Sequence, residues 1–204
     1  MKLDNKKRIS IFNQARGALK RNVLRHLYLP LRFFHHIGKV IIPGKRTKLR
    51  ILLFHDIPSN CHSEFRRKLE FLSKHWNFIS PEEFEKYLDG EVSLDGDNLL
   101  LSFDDGFYSN RVIAEDILNP MRIKALFFVV SDFIKLNKHA DQIKFIQNNL
   151  YPKWRKHAYP ENLNAMRSLS FDDLSYLHAS GHTIGCHTAT HPDLSAISDE
   201  NSLI

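Results

Sequence analysis

Asn98-Leu99-Leu100-Leu101-Ser102-Phe103-Asp104-Asp105-Gly106 is the stretch on which the fold turns. A short apolar run of this kind, closed by polar residues, predicts a buried strand. Two carboxylates and a glycine sit at its end. Adjacent side chains on extended backbone point in different directions. One of the two acids could therefore hold a cation while the other stays beside the reacting centre. Gly106 lets the chain turn away sharply. An ordinary Asp-Asp-Gly turn has the same three letters, so the surroundings must decide.

Upstream, Arg50-Ile-Leu-Leu-Phe-His55 reads as another buried strand ending in a polar residue. Phe65, Leu69, Leu72 and Trp76 follow at helical spacing, and Phe78-Ile79 marks a short strand. Ser80-Pro81-Glu82-Glu83 opens a helix, with Ser80 as N-cap and Glu83 completing a capping box; it should stop at Asp89-Gly90. Downstream, the pattern predicts a helix from about Tyr108 to Leu118, ended by Pro120. Ala125-Leu-Phe-Phe-Val-Val130 is a third strand, and the more polar residues 136–168 form a helical excursion. Ser170-Phe-Asp-Asp173 caps another helix, Gly181 ends it, and His182-Thr-Ile-Gly-Cys186 is a strand leading to His187.

Strands alternating with helices predict an α/β fold of parallel units. In such folds the site forms at the carboxyl ends of the strands. His55, Asp104, Asp105 and His187 all stand there, so the fold should bring them to one face.

His187-Thr188-Ala189-Thr190-His191 places two imidazoles four residues apart, a spacing that lets one turn aim both at a single cation. Spacing alone is weak evidence in a chain with 12 His, because His178 and His182 share it. Gly181 falls inside that second pair, where a helix should be ending, so both are expected at the surface. Two His and one carboxylate are the ligand set that leaves coordination positions open for water and substrate. A nearby uncoordinated carboxylate is the natural base for that water.

Taken together, Ser102-Phe-Asp-Asp-Gly106 and His187-Thr-Ala-Thr-His191 resemble the two leading motifs of the polysaccharide deacetylases (the NodB-homology domain, carbohydrate esterase family 4). Leu53-Phe-His55, Ala125-Leu-Phe-Phe-Val129 and Gly181-His-Thr-Ile-Gly-Cys186 agree in order, and the resemblance spans about residues 50–195. It implies a distorted (β/α) barrel and hydrolysis of N-acetyl, less often O-acetyl, groups on a carbohydrate. It makes Asp104 the catalytic base and Asp105, His187 and His191 the ligands of a divalent metal, with Zn2+ expected. His55 occupies a site-lining position with no definite role. Ser102 stands for the family's usual Thr, and Thr183 where an acid is common. The family's later motifs, one of which supplies a general-acid histidine, are not found before Ile204. The expectation is a domain incomplete at its C-terminus: a deacetylase shortened here, or a truncated member, catalytically weak or inactive, that still binds metal or glycan, with a basic-arm protein that binds an anionic membrane or nucleic acid as the reading from another class.

Charge divides the chain differently. Residues 1–50 hold 14 Lys and Arg against Asp4 alone, a charge of +13, whereas residues 51–204 carry −7. The expected organisation is a basic extension over 1–47 and the catalytic domain over 48–204. Ile9, Phe12, Leu19, Val23 and Leu27 recur near helical spacing among basic residues, which suits a helix on an anionic membrane surface or one packed on protein. Aromatic-basic interleaving of the kind that binds nucleic acid is lacking, so nucleic acid is not an expected partner. The extension lacks the apolar core and cleavage site of a signal peptide, which makes the cytoplasm, with attachment at the inner membrane face, the expected location. Cys61 and Cys186 are too few for a disulfide framework and read as small buried hydrophobes.

Overall fold

A computed structural model describes residues 47–152 and 163–196. The proposed helix of the basic extension lies outside the described residues. Five strands form one parallel sheet: β1 (Lys48–Phe54), β2 (Asn77–Phe78), β3 (Asp97–Phe103), β4 (Ala125–Val129) and β5 (Thr183–Cys186). The order is β1-β3-β4-β5, with β2 beside the start of β3. Helices α1 (His62–Leu72), α2 (Pro81–Leu88) and α3 (Tyr108–Ile113, running on to Leu118) fill the crossovers before β4. After β4 come α4 (Ser131–Ile134) and α5 (His139–Phe145, running on to Leu150), and α6 (Phe171–Ala179) precedes β5. This is the expected α/β alternation.

Both predicted capping boxes form. The Ser80 hydroxyl accepts from the Glu83 N–H while the Ser80 N–H donates back to the Glu83 carboxylate, and Ser170 with Asp173 does the same. Each pair satisfies amide groups that a helix start leaves without partners, worth about 1 kcal/mol per cap.

The core lies between the sheet and its helices. Leu101, Phe103, Ala125, Phe127 and Val129 alternate onto one face of β3 and β4, against Phe65 and Leu69 of α1, Ile113 of α3 and Leu177 of α6. Phe103 and Phe127 stack at 5.0 Å, and Phe54 meets Phe65 edge-on at 5.1 Å. Burying a side chain of this size stabilises by roughly 1.5–3 kcal/mol. A second cluster gathers Phe107, Val130, Phe133, Ile146, Leu150, Leu163 and Met166. It anchors the excursion after β4 to the end of the sheet where the motifs lie.

Three expectations need correction. β1 is a strand but is not buried on both faces: Ile51 is 49% and Leu53 53% exposed. It is an outer strand of the described sheet, so only Leu52 and Phe54 turn toward the core. His182 is not a surface residue but is 2% exposed. Its ring is held from both sides by Asn119 and Ala125, which the helix-end reading could not foresee. Cys61 and Cys186 are both exposed, because the first opens a helix at the surface and the second ends the outer strand β5. Among the described residues no helix is long and apolar enough to cross a membrane.

Gly185 has a packing reason to be glycine. A Cβ there would come within 2.5 Å of the Phe128 ring on the neighbouring strand.

Candidate metal centre

The parallel register carries the motifs to one edge. Beyond the strands the ladder continues through three bonds: Asp104 N–H to the Phe54 carbonyl (2.8 Å), His187 N–H to Val129 (2.8 Å) and Val130 N–H to Asp105 (3.4 Å). Asp104 and Asp105 leave β3, and His187 leaves β5, with their backbones pinned by the neighbouring strands.

The backbone there is unusual. Asp105 (φ 74°), Thr188 (φ 65°) and His191 (φ 56°) are three of the four described non-glycine residues in the left-handed region, and Gly106 (φ 85°) joins them. Such conformations cost roughly 1–3 kcal/mol apiece for ordinary residues and persist only where the surroundings enforce them. Here the Ser131 and Asp132 N–H groups donate to the Thr188 and Ala189 carbonyls, and the Thr188 hydroxyl accepts from the His191 N–H at 3.0 Å. The result turns both imidazoles inward.

Asp105, His187 and His191 each present one ligand atom within 4.8 Å of the others. The Nε2 atoms of His187 and His191 lie 3.7 and 3.6 Å from Asp105 Oδ1. Asp105 is 1% exposed, yet this Oδ1 has no hydrogen-bond partner. Burial pushes the Asp105 carboxyl above the ordinary carboxylate range, opposed by the charges of His55 and His191, the hydrogen bond from Tyr151, and His187. A buried acceptor without a donor is costly. A cation on Oδ1 would remove that cost, so the donor set fits a divalent metal.

Outer partners fix two of the three candidate ligands. His191 Nδ1 lies 3.2 Å from the Asn149 carbonyl. A carbonyl only accepts, so Nδ1 carries the proton and Nε2 keeps its lone pair for a ligand role. The Tyr151 hydroxyl donates to Asp105 Oδ2 at 3.1 Å. Burial first, then the negative charge of Asp105, pushes this phenol well above its usual range, so it remains a donor. Neither Asn149 nor Tyr151 was found from the sequence.

Asp104 stands beside the triad, 8% exposed, with Oδ2 4.0 Å from His187 Nε2 and Oδ1 accepting from the Ser102 hydroxyl at 3.4 Å. His55 is exposed at the end of β1, 6.3 Å from the Tyr151 ring, with its carbonyl accepting from the Asn110 amide. The structure thus brings together the four motif residues and leaves His55 at their flank. His178, on α6, and His182, before β5, take no part in the cluster.

The family model for polysaccharide deacetylase matches residues 91–203, more than half of the chain. IcaB from Ammonifex degensii is 26% identical with a TM-score of 0.50, over 68% of this chain and 52% of that one. BA0330 from Bacillus anthracis is 18% identical with a TM-score of 0.50, over 74% and 42%. The deacetylase PplD of Streptococcus pyogenes, solved in complex with acetate, is 18% identical with a TM-score of 0.49, over 74% and 60%. The chain therefore spans 42% to 60% of the lengths of these three. No curated protein sequence matches it.

Proposed function

This chain belongs to the polysaccharide deacetylase family, and on that premise we propose that it hydrolyses acetyl groups, chiefly N-acetyl, on a carbohydrate, at a divalent-metal centre built from Asp105, His187 and His191. The observation that carries this reading is Asp105 Oδ1, buried, unpartnered and facing two imidazole nitrogens at 3.6 and 3.7 Å. Two imidazoles and a carboxylate suit zinc and leave positions open for water and substrate.

A divalent ion held there would polarise the acetyl carbonyl and lower the pKa of the attacking water. Asp104 is the base. It lies at the edge of the triad without belonging to it and accepts the proton as water oxygen bonds to the acyl carbon. The C–N bond then breaks as a proton, returned by Asp104 or supplied by solvent, reaches the sugar nitrogen, which leaves as an amine, and acetate departs. His187 and His191 hold their Nε2 atoms toward Asp105 Oδ1 because the left-handed loop between them is pinned to the residues after β4. The test is release of acetate from short N-acetylated sugar oligomers with added zinc. Turnover should disappear with a chelator and fall about 10²–10⁴-fold with Asp104→Asn. Turnover untouched by both would remove the reading.

The +13 charge of residues 1–50 supports a second, independent reading: reversible attachment to an anionic membrane surface through residues 1–47, which would keep the reaction at the cytoplasmic face. Each basic residue near such a surface contributes about 1 kcal/mol. Sedimentation with acidic vesicles at low salt, lost at high salt and on deletion of residues 1–47, is the expected outcome. No sedimentation at low salt would end it.

A further inference from the structure

We propose that Tyr151 is a positioning residue that makes Asp105 a one-oxygen ligand, an inference that rests on the metal centre proposed above. The two oxygens of Asp105 are treated differently. Oδ2 accepts the Tyr151 hydroxyl at 3.1 Å, while Oδ1 faces the histidines with no donor of its own. A carboxylate free on both oxygens can grip a cation with either or both. A donor on Oδ2 competes with a cation for that oxygen and favours Oδ1 as the ligand atom.

Tyr151 is itself held. Its ring lies parallel to that of Phe107, 5° between planes and 6.2 Å between centroids. It follows directly on the helical turn whose Ile146 and Leu150 are buried in the second core. Two residues earlier, the Asn149 carbonyl accepts the proton of His191 Nδ1, and the Asn149 amide donates to the Thr190 carbonyl at 3.0 Å. One three-residue span of the excursion therefore serves outer partners to ligands that come from β3 and from the loop after β5. Removing such outer partners typically lowers metal affinity about 10–100-fold.

The test compares Zn2+ and Co2+ binding by the full chain, Tyr151→Phe and His187→Ala, with thermal melting of each without metal. Tyr151→Phe keeps the ring on Phe107 and removes the hydroxyl that donates to Asp105. It should weaken zinc about 10–100-fold. It should also dim the visible absorption of bound Co2+, because Oδ2 without its donor would be available to the ion as a further ligand. 4-Aminophenylalanine at 151, which keeps an N–H donor, should restore both. If the unaltered chain binds zinc and His187→Ala does not, yet Tyr151→Phe matches the unaltered chain in affinity and Co2+ spectrum, the positioning role is overturned and the metal centre stands. If the unaltered chain and His187→Ala bind zinc alike, or neither binds it, both fall. If Tyr151→Phe melts far below the unaltered chain without metal, the hydroxyl is structural and the proposal is again overturned.

Discussion

His182 stands immediately before β5 and His187 immediately after it, so one four-residue strand separates two imidazoles of opposite fate. At the strand's start, both nitrogens of His182 are taken. Nδ1 accepts the Ala125 N–H at 3.2 Å, which leaves Nε2–H to donate to Asn119 Oδ1 at 3.2 Å. Burial, and then the charge of Lys124, lowers its pKa to about 4, so it stays neutral and serves the fold. At the strand's end, His187 and His191 keep their Nε2 atoms directed at a buried carboxylate. Both pairs have the same spacing in the sequence. What separates them is whether a free nitrogen faces Asp105.

The comparison is broken most severely by exchanging the roles. His187→Ala should abolish measurable zinc binding in titration calorimetry, while His182→Ala leaves the affinity of the folded chain unchanged. Loss of zinc in the second variant alone would reverse the assignment. Asp104→Asn should keep the metal and lower deacetylation about 10²–10⁴-fold, the usual worth of a positioned base. A variant that loses metal as well would make Asp104 a ligand.

The other end of β5 predicts a pH effect on stability. The folded pKa of His182, about 4, lies below the unfolded value of about 6.5. The unfolded chain therefore binds more protons between these values, and stability rises with pH there. His182's contribution is complete above about pH 6.5 and is lost as the pH falls toward 4, up to roughly 3 kcal/mol. Urea unfolding of the metal-free chain at pH 7.5 and 5 should show this slope, and His182→Gln should flatten it. An unchanged slope would mean that the ring is not buried neutral.

Glycines give the smallest contrast. Gly106→Ala would place a Cβ 3.1 Å from Val129 Cγ1 at φ 85°, so it should destabilise by about 1–3 kcal/mol. Gly90→Ala at φ 74° meets nothing within 4 Å and should lose only about 1 kcal/mol, from backbone strain alone. Equal losses in urea melts would show that crowding against Val129 contributes nothing.

Much of this was legible in the residues. The strand before Asp104, the two capping boxes and the helix ending near Gly181 follow from local chemistry, and local chemistry is what a sequence displays. The pairing of Asp105 with His187 and His191 was legible only through two motifs read jointly. Tyr151 was not, because it lies 46 residues beyond Asp105 in a polar stretch with no periodic signal. Nor was the burial of His182, whose partners Asn119 and Ala125 are 63 and 57 residues away. Ile51 and Leu53 were misread because an apolar run does not reveal whether a strand has neighbours on both sides.

The left-handed backbone at Asp105, Thr188 and His191 has a consequence for how such a chain would drift over generations. Asp and His, at two of these positions, enter the left-handed region more readily than most side chains, whereas at the third a β-branched residue sits where glycine or asparagine would rest more easily. Its hydroxyl, which accepts the His191 N–H, is what would hold Thr188 in place. In a descendant that no longer used the proposed centre, position 188 should be among the earliest to relax, toward Gly or Asn, while Gly185 beneath the Phe128 ring would stay. The order of those losses would distinguish a lineage that has abandoned the chemistry from one that has abandoned the fold.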